Sequence, residues 1–189
     1  RNSPYLEKLK QKDYEVLLLT DAIDEWVTQG LSTFKAKNLI SITQSGLDLD
    51  TEEEKQQKEE TRTAQKERYQ LLMDKMKRSL ETEIRDVIIS DRLTETPVCL
   101  VSGENELSAN MEKILSKMDG YQAGASKRTL ELNLAHPLFE QMLQLNDEQI
   151  ATWSEILYNQ ALLNEGSPLP NPGKYSKLIA ELMTRARSQ

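Results

Sequence analysis

Cys99 and His136 are the single cysteine and the single histidine among 189 residues. A thiol and an imidazole can act as nucleophile and base only where the fold brings them together and a third group orients the base. No flanking residue supplies that third group. The plainer reading of Cys99, inside Val98-Cys99-Leu100-Val101, is a small buried hydrophobe. His136, just before Pro137, reads as the cap of a short helix, because proline suits the first helical position. One cysteine forbids an intrachain disulfide and fits a reducing cytoplasm. One cysteine and one histidine also exclude zinc sites that need several such ligands. Glutamates are plentiful, yet no pair stands in the apolar setting that would tune an acid and a base. The seven glycines form no phosphate-binding loop of the Walker type. No catalytic residue, metal or cofactor is therefore expected of this chain itself.

Composition sets the remaining bounds. Hydrophobic residues make up 38% and charged residues 29%, a polar-biased globular profile. The 24 basic and 31 acidic side chains give a net charge of -7, with no basic stripe, so nucleic acid is not an expected partner. No apolar run approaches the roughly 18 residues of a membrane-spanning helix, so no membrane partner is expected either. The chain opens at Arg1 without a signal-peptide pattern, which fits a cytoplasmic piece of something longer.

The elements that would carry any site follow from periodicity. Pro4 starts a short helix with Leu6, Leu9 and Lys10. Val16-Leu17-Leu18-Leu19 is a continuous apolar run of the kind a strand buried on both faces produces. Asp21 and Asp24 resemble a capping arrangement for a helix whose apolar side is Ile23, Trp26, Val27 and Leu31. Leu39 to Ile42 reads as a second strand, so residues 1–50 are expected to form a small α/β unit with a right-handed crossover. Residues 50–68 carry one apolar side chain, Ala64, and read as a solvated helix start or hinge. From Tyr69 an apolar stripe returns at Leu72, Met73, Met76 and Leu80. Three strands are expected near 87–89, 98–101 and 129–133. Between the last two lies a helix with Leu107, Met111, Ile114, Leu115 and Met118 on one face, and Gly120 and Gly124 mark the loop after it.

The last third reads as helix throughout. Asn146 or Asp147 caps a helix bearing Ile150, Trp153, Ile156, Leu157 and Ala161, and Gly166 stops it. After the stiff segment SPLPNPG comes a helix with Tyr175, Leu178, Ile179, Leu182 and Met183. Two such helices, about 147–165 and 173–187, bury their stripes poorly alone. They either pack on their own domain or pair with a second copy as a four-helix bundle.

Four segments in order resemble the bacterial type of the ninety-kilodalton heat-shock chaperone family. NSPYLEKLKQKDYEVLLLTDAIDEW is similar to the last unit of that family's middle domain. IRDVIISDRLTETPVCLV and ELNLAHPLF are similar to the sheet and following helix of its carboxyl-terminal domain. WSEILYNQALLNEG is similar to its first dimerisation helix.

The resemblance implies an α+β fold with the end of a middle domain at 1–50. A long linker helix, a three-stranded sheet and a dimerising helical hairpin would follow at 51–189. It favours the four-helix bundle, and thus a homodimer, with Ile150, Trp153, Ile156, Leu157, Ala161, Tyr175, Leu178, Ile179, Leu182 and Met183 at the interface. It implies that ATP and magnesium are used by an amino-terminal domain of the full-length chain, so that this piece is not an enzyme. The end at Ala186-Arg187-Ser188-Gln189 lacks the acidic tail of eukaryotic cytosolic members.

Two surfaces for non-native client protein are also implied. One is Asp24, Glu25 and Trp26, where an exposed indole beside carboxylates makes an amphipathic platform; the alternative is that Trp26 is core. The other is Leu107 and Met111, where methionine's flexible, polarisable chain suits variable clients. Leu107 stands where the family often has methionine. On this reading Leu107, Met111 and Trp26 are exposed, while Ile114, Leu115 and Met118 are buried. Three functions compete: a dimeric client-holding chaperone module, a dimerisation scaffold without a client site, and a Cys99–His136 hydrolase.

Overall fold

The computed structural model describes residues 3–47, 49–103, 106–118 and 126–186. A three-stranded sheet is its centre. β3 (Ile84–Ile89), β4 (Val98–Val101) and β5 (Arg128–Leu132) lie in the order β3-β5-β4, with β5 parallel to β3 and antiparallel to β4. Side chains alternate across a strand. Val98 and Leu100 of β4 therefore share one face with Leu130 and Leu132 of β5, while Cys99 and Val101 point to the other. Both faces are covered, which is why VCLV is apolar without alternation and buried throughout.

The first face is covered by helices. α3 (Glu52–Ser79) is a single long helix whose start is fixed by a capping box between Thr51 and Glu54. Glu52, Glu53 and Glu54 near its amino end and Lys77 and Arg78 near its carboxyl end complement the helix dipole. Its second half buries Tyr69, Leu72, Met73 and Met76, as the stripe predicts. Its polar first half is held by charge instead: Lys58 meets Asp50 at 3.0 Å, and Arg62 meets Asp91 at 2.7 Å. α5 (Pro137–Met142) adds Phe139 and Met142, and His136 caps it by accepting the Leu138 amide on Nδ1 at 3.2 Å. α6 (Asp147–Glu165) adds Ile150, Leu157, Ala161 and Leu162. Asn146 caps α6, and Gly166 ends it in the left-handed region at φ 74°, which costs glycine little. α7 (Pro172–Ala186) then packs back on α6.

The second face is covered by the start of the chain. A 3-10 turn (Pro4–Leu6) runs into α1 (Glu7–Gln11), and Tyr5 packs with Leu93, Cys99 and Val101, with Ile42 alongside. The Tyr5 hydroxyl donates to the Leu100 carbonyl. Glu7 accepts the amides of Thr94, Glu95 and Thr96 and the Thr96 hydroxyl. Arg92 is the charged group buried deepest there. Its guanidinium makes a two-point pair with Glu131 (Nε to Oε2 2.9 Å, Nη2 to Oε1 3.1 Å) and donates to the carbonyls of Ile42 and Gln44. Residues 43–45 add main-chain bonds at Ser102.

The small α/β unit expected at 1–50 differs from this. Val16 to Leu19 form no strand, and Leu17 is 75% exposed. A run apolar on both faces becomes a strand only with partners at its edges and cover on both sides, and none of the described residues supplies them. Leu39 to Ile42 is likewise not a strand. The pairing present is a two-residue ladder, β1 (Thr33–Phe34) with β2 (Lys37–Asn38), turned by Lys35 and Ala36 at positive φ. α2 (Ala22–Gly30) is as expected, with the Asp21–Asp24 capping box. The loop predicted at Gly120 and Gly124 lies outside the described residues, as do Arg187 to Gln189.

Candidate client-holding and self-association surfaces

α2 presents Ile23, Trp26 and Val27 to solvent at helical spacing, with Trp26 45% exposed. The partial exposure expected for the indole is present. The two carboxylates beside it are engaged. Asp24 accepts the Asp21 amide at 3.0 Å and closes the cap of α2. Glu25 accepts from the Ser108 hydroxyl at 3.0 Å and from the Asn110 amide nitrogen at 2.9 Å. That pair of bonds seats α2 against α4 (Ala109–Leu115), so the two client candidates lie side by side.

Along this segment the two methionines reverse the expected division of the face, and the other three residues do not divide. Met111 is 1% exposed and Leu107 is half-buried, whereas Ile114 and Leu115 are half-buried and Met118 is 54% exposed. The cause lies in length and rotation. α4 ends at Leu115, so Met118 falls in the turn beyond it and off the helical stripe. Glu112 pairs with Arg128 at 2.6 Å and Lys113 donates to the Glu165 carbonyl at 3.3 Å, which fixes the helix with Met111 inward. Burial alone would raise the Glu112 carboxyl, but Arg128 and Ser126 outweigh it and hold it below the usual carboxylate range. Met111 is thus a core residue, and Met118 takes its place at the surface.

The hairpin also divides. Ile150, Ile156, Leu157 and Ala161 are buried within the one chain, and Trp153 packs half-buried against the same core, because α6 lies on α3 and β4. Ile150, Ile156, Leu157 and Ala161 are core residues of the single chain rather than the interface expected of them. α7 touches the body through α6. Tyr175, Leu178, Ile179 and Leu182 are half-buried on it, and Met183 is 70% exposed. Leu163 at the end of α6 is exposed as well.

The nucleophilic reading of Cys99 loses its chemistry. Its sulfur is buried 3.8 Å from Glu131 Oε2, and burial together with that carboxylate pushes the thiol well above its ordinary value. A thiol held protonated is a poor nucleophile. The His136 ring nitrogen Nδ1 serves the α5 cap. Among the described residues no three His, Cys, Asp or Glu side chains converge to hold a metal ion.

Sequence reading did not anticipate Glu7, Arg92, Glu112, Arg128, Glu131 and Glu165. Glu131 carried a signal. A carboxylate between two leucines of a central strand needs either solvent or a buried cation.

The Hsp90 protein family model matches residues 1–188. The chain is 53% identical to the chaperone protein HtpG of Bdellovibrio bacteriovorus over 186 residues, which is 98% of this chain and 30% of that protein. It is 43% identical to the HtpG of Aromatoleum aromaticum over 183 residues, 97% of this chain and 28% of that protein. To the HtpG of Myxococcus xanthus it is 41% identical over 191 residues, 97% of this chain and 29% of that protein. The chain thus spans about three-tenths of the length of these curated relatives. With a family match along nearly its full length and relatives of this identity, the chain belongs to the Hsp90 protein family, as a piece of the bacterial HtpG type.

Proposed function

We propose that this chain is the part of an HtpG-type chaperone that joins two copies and holds non-native protein. The observation that carries the reading is the exposed apolar stripe Ile23, Trp26 and Val27 on α2, braced against α4 by Glu25. Exposed apolar area beside polar groups marks interaction sites on soluble proteins. The family match supports a chaperone over an unrelated scaffold. In this reading residues 1–50 end a middle domain and 51–189 form the dimerisation domain. Clients meet Trp26 and Leu107, and Met118 adds exposed apolar surface past the far end of α4, with Asp24 and Glu25 shaping the surface rather than contacting clients first.

Self-association uses α7, through Tyr175, Leu178, Ile179, Leu182 and Met183, with Leu163. Pairing two α6–α7 hairpins gives a four-helix arrangement in which α6 is anchored to each body. Hydrolysis of ATP with magnesium belongs to another part of the full-length chain, and the setting is the cytoplasm. Joining two arms at one end raises the effective concentration of everything else they carry.

A dimerisation scaffold with no client site would bury Trp26, Leu107 and Met111 together, and Trp26 is not buried. The test is suppression of aggregation of a denatured protein by the full-length chain. Trp26→Arg should weaken it with the fold intact; unchanged suppression would sink the client assignment.

A further inference from the structure

Arg128 opens β5 with its guanidinium nearly sealed from solvent, and it reaches two carboxylates on two different helices. Toward α4, Nη2 lies 2.6 Å from Glu112 Oε2 and Nη1 lies 3.2 Å from Oε1. Toward α6, Nε lies 3.4 Å from Oε1 of Glu165, the last residue of that helix. Both carboxylates are themselves almost covered, with side-chain exposures of 13% and 9%.

A second tie runs parallel to the first. The neighbouring Lys113 donates to the Glu165 carbonyl at 3.3 Å. The other Glu165 oxygen accepts from Ser167, immediately past the Gly166 turn that leads into α7. α4 is therefore fastened to the hairpin turn by charge and hydrogen bonds. A fork-shaped guanidinium pair fixes orientation as well as distance. A covered charge that loses its partner is strongly unfavourable. α4 cannot rotate or lift independently of the turn without stranding one of these groups.

We infer that Arg128 is a positioning residue that couples the α2–α4 surface to the α6–α7 turn, so that occupancy of that surface and association of two copies alter one another. The inference rests on the proposed client-holding and self-association reading. Coupling of this kind is reciprocal: whatever factor a bound client imposes on self-association, self-association imposes on the client.

The experiment uses the full-length protein and a reduced, carboxymethylated protein as a permanently non-native probe. The self-association constant is measured by sedimentation over a dilution series, with and without saturating probe. In the unmodified protein the probe should shift that constant by about fivefold or more, the usual floor of such coupling. Arg128→Met and Lys113→Met should each reduce the shift to below about twofold, while probe binding and self-association both persist. Arg128→Lys, which keeps the charge and loses the fork, should recover part of it. If Arg128→Met does not fold, Glu165→Gln replaces it, leaving the Glu112 pair in place and removing the charge at the turn.

A shift of the same size in the variants overturns the inference. So does the absence of a shift in a protein that binds the probe and dimerises. A protein that does neither overturns the client and dimer reading itself, and the coupling with it.

Discussion

The Ser108 hydroxyl serves two helices at once: it accepts the Met111 amide at 3.0 Å as the cap of α4 and donates to Glu25 of α2 at 3.0 Å. The geometry of the exposed Trp26 surface therefore depends on a side chain outside its own helix. Ser108→Ala should cost about 0.5–2 kcal/mol through the lost cap and should also release α2. Glu25→Ala should release α2 without touching the cap, and Glu25→Gln, which keeps an acceptor oxygen, should do so less. Acrylamide quenching of Trp26 in a Trp153→Phe background reads the release. Quenching that is unchanged in both Ser108→Ala and Glu25→Ala would contradict the bracing role.

Met111 and Trp26 should respond oppositely to added charge. Trp26→Arg replaces a half-exposed indole and should change stability by no more than about 0.5 kcal/mol. Met111→Lys drives a cation into a fully covered position and should cost about 3 kcal/mol or more. Urea unfolding of the two variants separates them. Equal stability of Met111→Lys and the parent would return Met111 to the surface.

Arg92 and Glu131 make the matching case inside the sheet. Glu131→Gln leaves the covered guanidinium short of its counter-charge and should destabilise by about 3–5 kcal/mol. The double change Arg92→Met with Glu131→Leu removes both charges and should recover much of that loss. Thermal unfolding of the single and double variants checks the order.

Glu7 predicts an acid sensitivity. Burial would raise its carboxyl, but the Glu95 amide, the Thr96 hydroxyl and the amides of Thr94 and Thr96 outweigh it and hold it below its ordinary value. With the folded value below the unfolded one, its contribution is complete above about pH 4.5 and is lost as pH falls further. Amide exchange at Thr94, Glu95 and Thr96 should quicken relative to the β5 amides as pH is lowered through that range. Glu7→Gln should show the faster exchange already at neutral pH. Exchange in Glu7→Gln that matches the parent would refute the role.

How far the sequence predicted the molecule depended on where each segment's partners lie. The central strands, the second half of α3, the His136 and Asn146 caps and the Gly166 stop all follow from local pattern, because their causes lie within a few residues. Val16 to Leu19 misled because an apolar run reports that cover is needed, not that these residues provide it. Met111 and Met118 exchange places because the helical spacing of apolar residues continues past Leu115, where α4 ends. The Arg92–Glu131 and Arg128–Glu112–Glu165 pairs were out of reach, since partners 16 to 39 residues apart leave no periodic trace.

The central claim is self-association through α7 on a body that folds without it, and solution mass tests it most directly. Because α6 is part of the core, the comparison is between the 189-residue chain, a chain ending at 170, and Met183→Lys. Light scattering over a dilution series should give twice the 21.7 kDa of one chain for the parent. The shortened chain should be monomeric and folded by circular dichroism, and Met183→Lys should dissociate at higher concentration than the parent. A parent that stays monomeric at micromolar concentration, or a shortened chain that still dimerises, would contradict the account.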